Sequence, residues 1–317
     1  RLAGHVSFHD ELLTHPLKLD LDYLKLQSGQ SDTESSSYDP RDLPGFELQV
    51  KKFSFDEVEL GSLSGNVKHT PEGLFMDRMQ LEGEQLSLNA SGEWAVNNEE
   101  QSTRLQAKLK STGFGELLTK LGYESGFTAR KSKGVAQLEW SGSPMQFSLE
   151  KLNGNLSLDI RDGQLLDVSP GAGRVFGLLS LQTLPRRLTL DFSDVFKKGF
   201  SFDRIKGSFL MEAGNAYTTN LYLDGPAARI DISGRTGFAV KDYDQLVTVT
   251  PHLTASLSLA GALVGGPVAG GVLSAIDKLF KSTIDKITEV QYTITGSWDE
   301  PKIVKLLKGE KAAVETE

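Results

Sequence analysis

The sequence predicts a mainly β protein in which one long antiparallel meander sheet curls into an open groove (a β-taco), with a few short helices packed on it or capping it. Three observations predict this fold. Apolar and polar residues alternate strictly in many short runs, the connections between runs are short and rich in turn residues, and few stretches have helical spacing. Alternation puts apolar side chains on one face of a sheet and polar ones on the other.

The alternation begins early and recurs along the whole chain. Leu17, Leu19 and Leu21 alternate with Lys18 and Asp20, as expected of a half-buried strand. Further runs of the same kind predict roughly a dozen or more strands, at residues 46–50, 86–90, 105–109, 156–160, 188–192, 209–211, 221–223, 230–232, 247–249 and 292–294.

Turn residues separate these runs. Asp162-Gly163, Ala213-Gly214-Asn215 and Asp224-Gly225-Pro226 are typical of hairpin loops. Strands that such loops join are antiparallel neighbours, so the pattern favours a meander over βαβ units.

Residues 1–250 are expected to form the β-groove segment. Within it, the polar residues 28–45 predict a long mobile loop, and residues 113–122 and 170–184 predict helices. Ser169-Pro170 is typical of the start of the second helix, as an N-cap followed by proline. Residues 251–290 are expected to be a Gly-rich uncharged segment and an amphipathic helix that cap the groove, and residues 291–317 a final strand and a charged tail.

The uncharged segment leaves two questions open. Residues 245–276 contain no Asp, Glu, Lys or Arg, which is long enough for a membrane span, but Pro267 would break such a helix into two short halves. The helix that follows has an apolar stripe that could pack on the sheet or lie on a bilayer surface. The residues expected to cap the groove or contact a membrane are Val272, Ile276, Leu279, Ile284 and Ile287.

Composition argues against several functions. The net charge of −8 and a pI near 5.3 argue against nucleic-acid binding, which needs clustered Lys and Arg. There is no Cys for a thiolate nucleophile or a Cys–zinc site, and the five His lack the spacing of a metal site. Gly171-Ala172-Gly173 with Gly177 imitates a dinucleotide fingerprint with the wrong spacing. We therefore expect no enzyme activity, no metal and no cofactor.

An apolar face along such a long sheet needs something to cover it. Few helices are available, and a large exposed apolar surface usually marks a binding site. Acyl chains suit a long apolar trough, because their burial is favourable by about 0.8 kcal/mol per CH₂. The residues expected to line a lipid groove are Leu156, Leu158, Ile160, Phe209, Met211, Leu221, Leu223, Ile230, Ile232, Val247 and Val249.

The chain from Gly134 onward resembles the C-terminal region of the AsmA-like family, of the YhdP type. The stretches that carry the resemblance are residues 138–144, 152–158, 168–174, 176–181, 185–188, 190–196, 199–203, 265–267 and 292–298. Residues 1–133 are similar more loosely, through strand alternation and Ser91-Gly92-Glu93-Trp94.

The resemblance implies a Gram-negative envelope protein, anchored in the inner membrane by an N-terminal helix, whose periplasmic body is a repeating β-groove that carries phospholipid toward the outer membrane. The family has no catalytic motif. Since the chain begins at Arg1, we expect it to be a C-terminal piece whose membrane anchor lies upstream. The leading hypothesis is a lipid-transport bridge for phospholipids. The alternative is a scaffold for outer-membrane protein biogenesis that binds its clients through the sheet edges.

Overall fold

A computed structural model describes residues 1–8, 13, 15–27, 38–122, 126–166, 200–226, 228–252 and 289–306. In these ranges fifteen strands lie side by side in chain order, in one sheet. The first eight are β1 Leu2–Ser7, β2 Leu17–Leu26, β3 Phe46–Phe55, β4 Val58–Thr70, β5 Gly73–Glu82, β6 Leu86–Asn97, β7 Glu100–Ser111 and β8 Phe127–Ser141. The others are β9 Asn153–Leu165, β10 Phe200–Glu212, β11 Asn215–Asp224, β12 Ala228–Gly237, β13 Asp242–Pro251, β14 Val290–Ser297 and β15 Lys302–Leu306.

The sheet is a meander with one exception. Each strand pairs antiparallel with the next, except that β2 and β3 are parallel. A parallel pair needs a long crossover, and the connection from Leu26 to Phe46 has the necessary length. The prediction of a fully antiparallel sheet is therefore wrong at this single pairing, while the predicted long meander is confirmed.

The sheet is open and curled into a groove, with β1 and β15 as its two edges. We call its apolar side the inner face, which on β7 carries Leu105, Ala107 and Leu109. The other side is the outer face, which on β7 carries Gln106 and Lys108. The cross-strand register continues both faces from strand to strand, so that each face is a set of parallel rows that cross the sheet.

Two predicted connections differ from the observed ones. Asp162-Gly163 lies inside β9 and not in a hairpin loop, because Asp162 takes a left-handed φ of 55° that makes a local irregularity in a continuous strand. The final part of the chain holds two strands, β14 and β15, where the sequence predicted one. In β15, Ile303 is the residue that faces Ile294, so a single apolar position gave too weak a pattern to predict a strand.

One α-helix occurs in the described part of the chain. It is α1, Phe114–Lys120, inside the stretch where the sequence predicts a helix, and it packs on β8 with Leu117 and Leu118 buried. Short 3₁₀ turns lie at Pro40–Asp42, Pro144–Gln146 and Leu149–Lys151. The predicted loop at 28–37, the helix at 170–184 and most of the predicted cap at 251–290 lie outside the described residues. Within the described ranges, no helix has the length and apolar character that crossing a bilayer requires.

Apolar residues of the inner face form two clusters. The larger one runs from β8 to β14 and includes Phe127, Ile205 and Leu223, which are at most 2% exposed. The smaller one joins β2 and β3 through Leu21, Leu48 and Val50. Between these clusters the inner face is less deeply buried, and that difference defines the candidate site.

Candidate functional site

The candidate site is a shallow apolar furrow on the inner face, between the two buried clusters. Its side chains are half-buried and lie at the middle of β4 to β9. Leu105, Ala107 and Leu109 occupy its centre on β7. We define the furrow by these members: Leu63, Met79, Leu88, Ala90, Leu105, Ala107, Leu109, Ala136, Leu138, Leu156 and Leu158.

Small residues form the lowest line of the furrow. Ala90, Ala107 and Ala136 face one another directly in the register of β6, β7 and β8. A row of leucines lies on each side of this line: Leu88 and Leu109 on one side, Leu105 and Leu138 on the other. Because a methyl group projects less than an isobutyl group, the alanine row leaves a channel that crosses the strands along the axis of the groove.

The length of the furrow suits an extended hydrocarbon chain. Six strands from β4 to β9 at about 4.8 Å spacing cover roughly 24 Å. One leaflet of a bilayer has a hydrocarbon thickness of about 15 Å, half of the roughly 30 Å core. The furrow is therefore longer than one acyl chain of ordinary length.

Buried rows limit the furrow on both sides. On one side lie Trp94, Thr103 and Trp140, which face one another across β6, β7 and β8. On the other side lie Ser111 and Ser132, followed by Ile160 on β9. The half-buried residues are thus a strip along the middle of the strands, with closed margins.

The margin that contains the tryptophans is held by hydrogen bonds. Trp94 Nε1 donates to Gln101 Oε1 at 3.1 Å, and Trp140 Nε1 donates to the Ser143 carbonyl at 3.0 Å. Thr103 Oγ1 donates to the Gly142 carbonyl at 2.8 Å. Since the polar atoms of these buried side chains have partners, the margin costs little desolvation energy and keeps its rings in place.

The opposite margin contains an unpaired group. Ser111 Oγ donates to the Gln85 carbonyl at 2.7 Å, but the buried Ser132 Oγ has no hydrogen-bond partner within the described residues. Apart from these margins, the inner face in the furrow consists of aliphatic side chains and glycines. The arrangement can hold a hydrocarbon, and it offers no nucleophile paired with a base.

The outer face is charged, and most of its charges are paired across strands. Lys18 lies 3.7 Å from Glu47, and Lys51 lies 2.7 Å from Asp22. A deeper group is Asp159, which accepts hydrogen bonds from Arg161 and Arg204 and lies 3.0 and 2.8 Å from their guanidinium groups. These hydrogen bonds, that from Arg161 first, hold the pKa of the Asp159 carboxyl well below its usual range.

The sequence-predicted groove residues all lie on the inner face, at two different depths. Leu156 and Leu158 are half-buried and form the β9 end of the furrow. The other nine lie beyond the furrow and are at most 7% exposed: Ile160, Phe209, Met211, Leu221, Leu223, Ile230, Ile232, Val247 and Val249. Their contact with lipid stays a prediction. The five predicted cap residues, Val272, Ile276, Leu279, Ile284 and Ile287, lie outside the described residues.

Sequence reasoning missed the furrow residues of β4 to β8. Their alternation was visible, but nothing in it distinguished a half-buried strand from a fully buried one. The alanine row could have been found only by aligning three strands in register, since Ala90, Ala107 and Ala136 are far apart in the sequence. Within the described ranges, no group of three or more His, Asp or Glu is placed to hold a metal ion.

An open curled sheet with an apolar inner face, and with charges confined to the outer face, defines this chain as a β-groove protein. The family model described as YhdP protein matches residues 1–303, and the chain belongs to that family. The resemblance deduced from the sequence motifs is therefore confirmed.

A characterised relative extends this comparison. The intermembrane phospholipid transporter YhdP of Escherichia coli strain K12 is 25% identical over 269 residues, which are 84% of this chain and 21% of the relative. The chain thus spans about a fifth of that relative's length. No solved structure matches the chain.

Proposed function

We propose that this chain is a segment of a phospholipid-transport bridge, in which the furrow shields acyl chains while the lipid moves along the groove. The observation that supports this most is the half-buried apolar strip on β4 to β9, with its alanine row. A lipid would cover side chains such as Leu105 and Leu138 that the protein itself leaves partly exposed. Each CH₂ removed from water favours the bound state by about 0.8 kcal/mol.

The relative supports the cargo and the setting. Because it is named an intermembrane phospholipid transporter, we propose phospholipid as the ligand and the periplasm, between inner and outer membrane, as the location of this chain. We further propose that the chain acts without enzyme activity, as part of a protein anchored in the inner membrane. Outer-membrane contact through residues 272–287 is included in the proposal.

The deeply buried inner face from β10 to β13 has a different part in this proposal. Phe209 and Met211 are 2% exposed and pack in the larger cluster. Lipid contact there requires the residues that cover them to move, whereas contact at Leu156 and Leu158 does not. We propose that lipid occupies the furrow first and that the buried part is the end at which the groove closes.

The alternative, a scaffold that binds clients at the sheet edges, has less support. β1 and β15 do offer unpaired edges, but the relative's name describes transport of phospholipid. Edge pairing would leave the furrow without a role. The transport bridge accounts for both the apolar strip and the relative.

Photocrosslinking tests the proposal. A photoreactive residue at Leu105 faces the furrow, and the same residue at Gln106, one position along β7, faces solvent on the outer face. We expect crosslinks to phospholipid from position 105 and none from position 106, together with phospholipid in the mass spectrum of the purified chain. Equal labelling at both positions, or a purified chain free of phospholipid, would count against the proposal.

The same experiment separates the two depths of the groove. A photoreactive residue at Leu158 should crosslink as well as one at Leu105, and one at Met211 should crosslink less. If Met211 gives the stronger signal, the lipid lies in the part of the groove that the structure shows closed, and the furrow is not the main site.

A further inference from the structure

A cluster of like charges interrupts the outer face on β7 to β10. We call it the basic patch, and it consists of Lys108, Lys110, Lys131, Lys133, Arg161, Arg204 and Lys206. These seven cations lie in adjacent rows of the sheet, and the one carboxylate in the same rows is Asp159. A surplus of six positive charges in this area contrasts with the net charge of −8 of the whole chain.

The register places like charges directly opposite each other. Lys110 faces Lys133, Lys131 faces Arg161, and Arg161 faces Arg204. Like charges in facing positions destabilise a sheet, and elsewhere on this outer face the strands pair opposite charges. A place where a sequence departs from such a local rule is often a functional site.

The lysines of the patch keep their charges available. Among the described residues, the five lysines form no ion pair, and all are exposed. Asp159 is occupied by Arg161 and Arg204. At the border of the patch, Arg130 pairs with Asp162, and the exposed Asp203 precedes Arg204. Even with these three included, the surplus is five positive charges.

The chemistry of the patch favours a dense anionic surface over a folded protein partner. Protein interfaces are enriched in aromatic residues and Arg and depleted in Lys, whereas five of these seven cations are lysines. The exposed apolar residue between the rows is Val135, at 45% exposure, and no aromatic ring lies in the rows of β7 to β9. Clusters of four to eight Lys and Arg are typical of segments that bind anionic lipid headgroups.

We propose that the basic patch binds the phosphate-bearing headgroups of an anionic bilayer and holds the outer face of the sheet against a membrane surface. The patch lies on the side of the sheet opposite the furrow, so this contact leaves the furrow free. The inference does not depend on the furrow holding lipid. It concerns a bilayer surface and not a single transported molecule.

Vesicle co-sedimentation tests the proposal. The chain should bind vesicles of equal parts phosphatidylglycerol and phosphatidylcholine, and not vesicles of phosphatidylcholine alone. Binding should weaken steeply as salt is raised, because exposed charges are screened beyond about 10 Å at 0.1 M. The triple variant Lys110→Gln, Lys133→Gln, Lys206→Gln should bind about 100-fold more weakly, since each Lys near an anionic surface contributes roughly fivefold.

A matched control changes the same number of charges elsewhere on the outer face. Lys18, Lys51 and Lys68 are each paired with a carboxylate, and their change to Gln should leave vesicle binding nearly unchanged. Equal losses in both triple variants would overturn the proposal, since net charge and not the patch would then decide binding. Failure of the wild-type chain to bind anionic vesicles would also overturn it.

Two further measurements keep the outcome interpretable. Urea denaturation should show both triple variants folded, with the patch variant no less stable, because it removes repulsion between facing lysines. Retention of the chain on polyglutamate without any binding to vesicles would assign the patch to an acidic protein partner and refute the bilayer. Crosslinking from Leu105 should persist in the patch variant, so that a failure here is distinguishable from a failure of the furrow.

Discussion

The alanine row makes a direct prediction about lipid binding. Ala107 lies at its centre, between Ala90 and Ala136, in the half-buried part of the inner face. In Ala107→Phe, a phenyl ring would fill the channel at this point and compete with the hydrocarbon. The ring would displace about three or four CH₂ groups, which corresponds to roughly 3 kcal/mol and about a 100-fold loss of affinity.

The fold should tolerate this substitution. Ala107 is not closed in by a second layer, so the ring can lie along the furrow without pushing the strands apart. We expect the free energy of unfolding to change by less than about 1 kcal/mol, in contrast with overpacking in a closed core, which costs about 1–3 kcal/mol.

The assay is a titration with a fluorescent phospholipid, combined with urea denaturation. The matched control is Gln106→Phe, which adds a ring of the same size to the outer face of the same strand. Wild-type affinity in Ala107→Phe would refute the assignment of the furrow as the lipid site. Weakened binding in both variants would show that the effect comes from the strand and not from the channel.

Three further predictions concern the frame of the groove. Ile205→Ala should lower the free energy of unfolding by about 2–5 kcal/mol in urea denaturation, because Ile205 is fully buried. Asp159→Asn should cost about 1 kcal/mol at neutral pH, since it weakens the hydrogen bonds from Arg161 and Arg204. Gly154→Ala should destabilise the β8–β9 pair, because its φ is +123° and an added Cβ would lie 2.0 Å from the Gln137 carbonyl oxygen.

The pH dependence gives the Asp159 prediction its sign. The pKa of Asp159 is lower in the folded chain than in the unfolded one, so the carboxylate stabilises the fold above the unfolded pKa of about 3.9. That stability is lost as pH falls through the lower, folded pKa. The difference between wild type and Asp159→Asn should therefore be constant from pH 7 to pH 5 and shrink below about pH 4. A difference that grows on acidification would contradict the ion pair.

The controls for the other two predictions use neighbouring positions. Leu105→Ala, in the furrow, should cost clearly less than Ile205→Ala, because Leu105 is only half-buried. Equal costs would mean that the furrow is as closed as the core. Gly134→Ala should be nearly neutral, since nothing approaches an added Cβ there closer than 3.8 Å. Equal losses at Gly134 and Gly154 would exclude steric strain as the cause.

The amino-acid sequence determined the fold class and the faces of the sheet. Strict alternation in runs such as Leu156–Ile160 told which side chains share a face, because the side-chain period of a strand is two whatever surrounds it. Turn residues at Ala213-Gly214 and at Asp224-Gly225-Pro226 marked real hairpins. The motifs around Trp140 and Trp298 were specific enough to identify the family.

Alternation could not determine depth. Leu158 and Met211 have the same sequence pattern, yet Leu158 is half-buried and Met211 is 2% exposed. The difference arises from how tightly the sheet curls and from what packs over each strand, and these contacts join residues that are distant in the chain. The boundary of the furrow was therefore a property of the tertiary structure.

The basic patch was likewise beyond the sequence. Lys110 and Lys133 belong to different strands and are 23 positions apart, and Asp159 and Lys206 are 47 apart. Only the register of β7 to β10 brings these charges into one row. A sequence specifies which residues point outward, because that depends on a local period. Which outward charges become neighbours depends on strand pairing, which the tertiary structure decides.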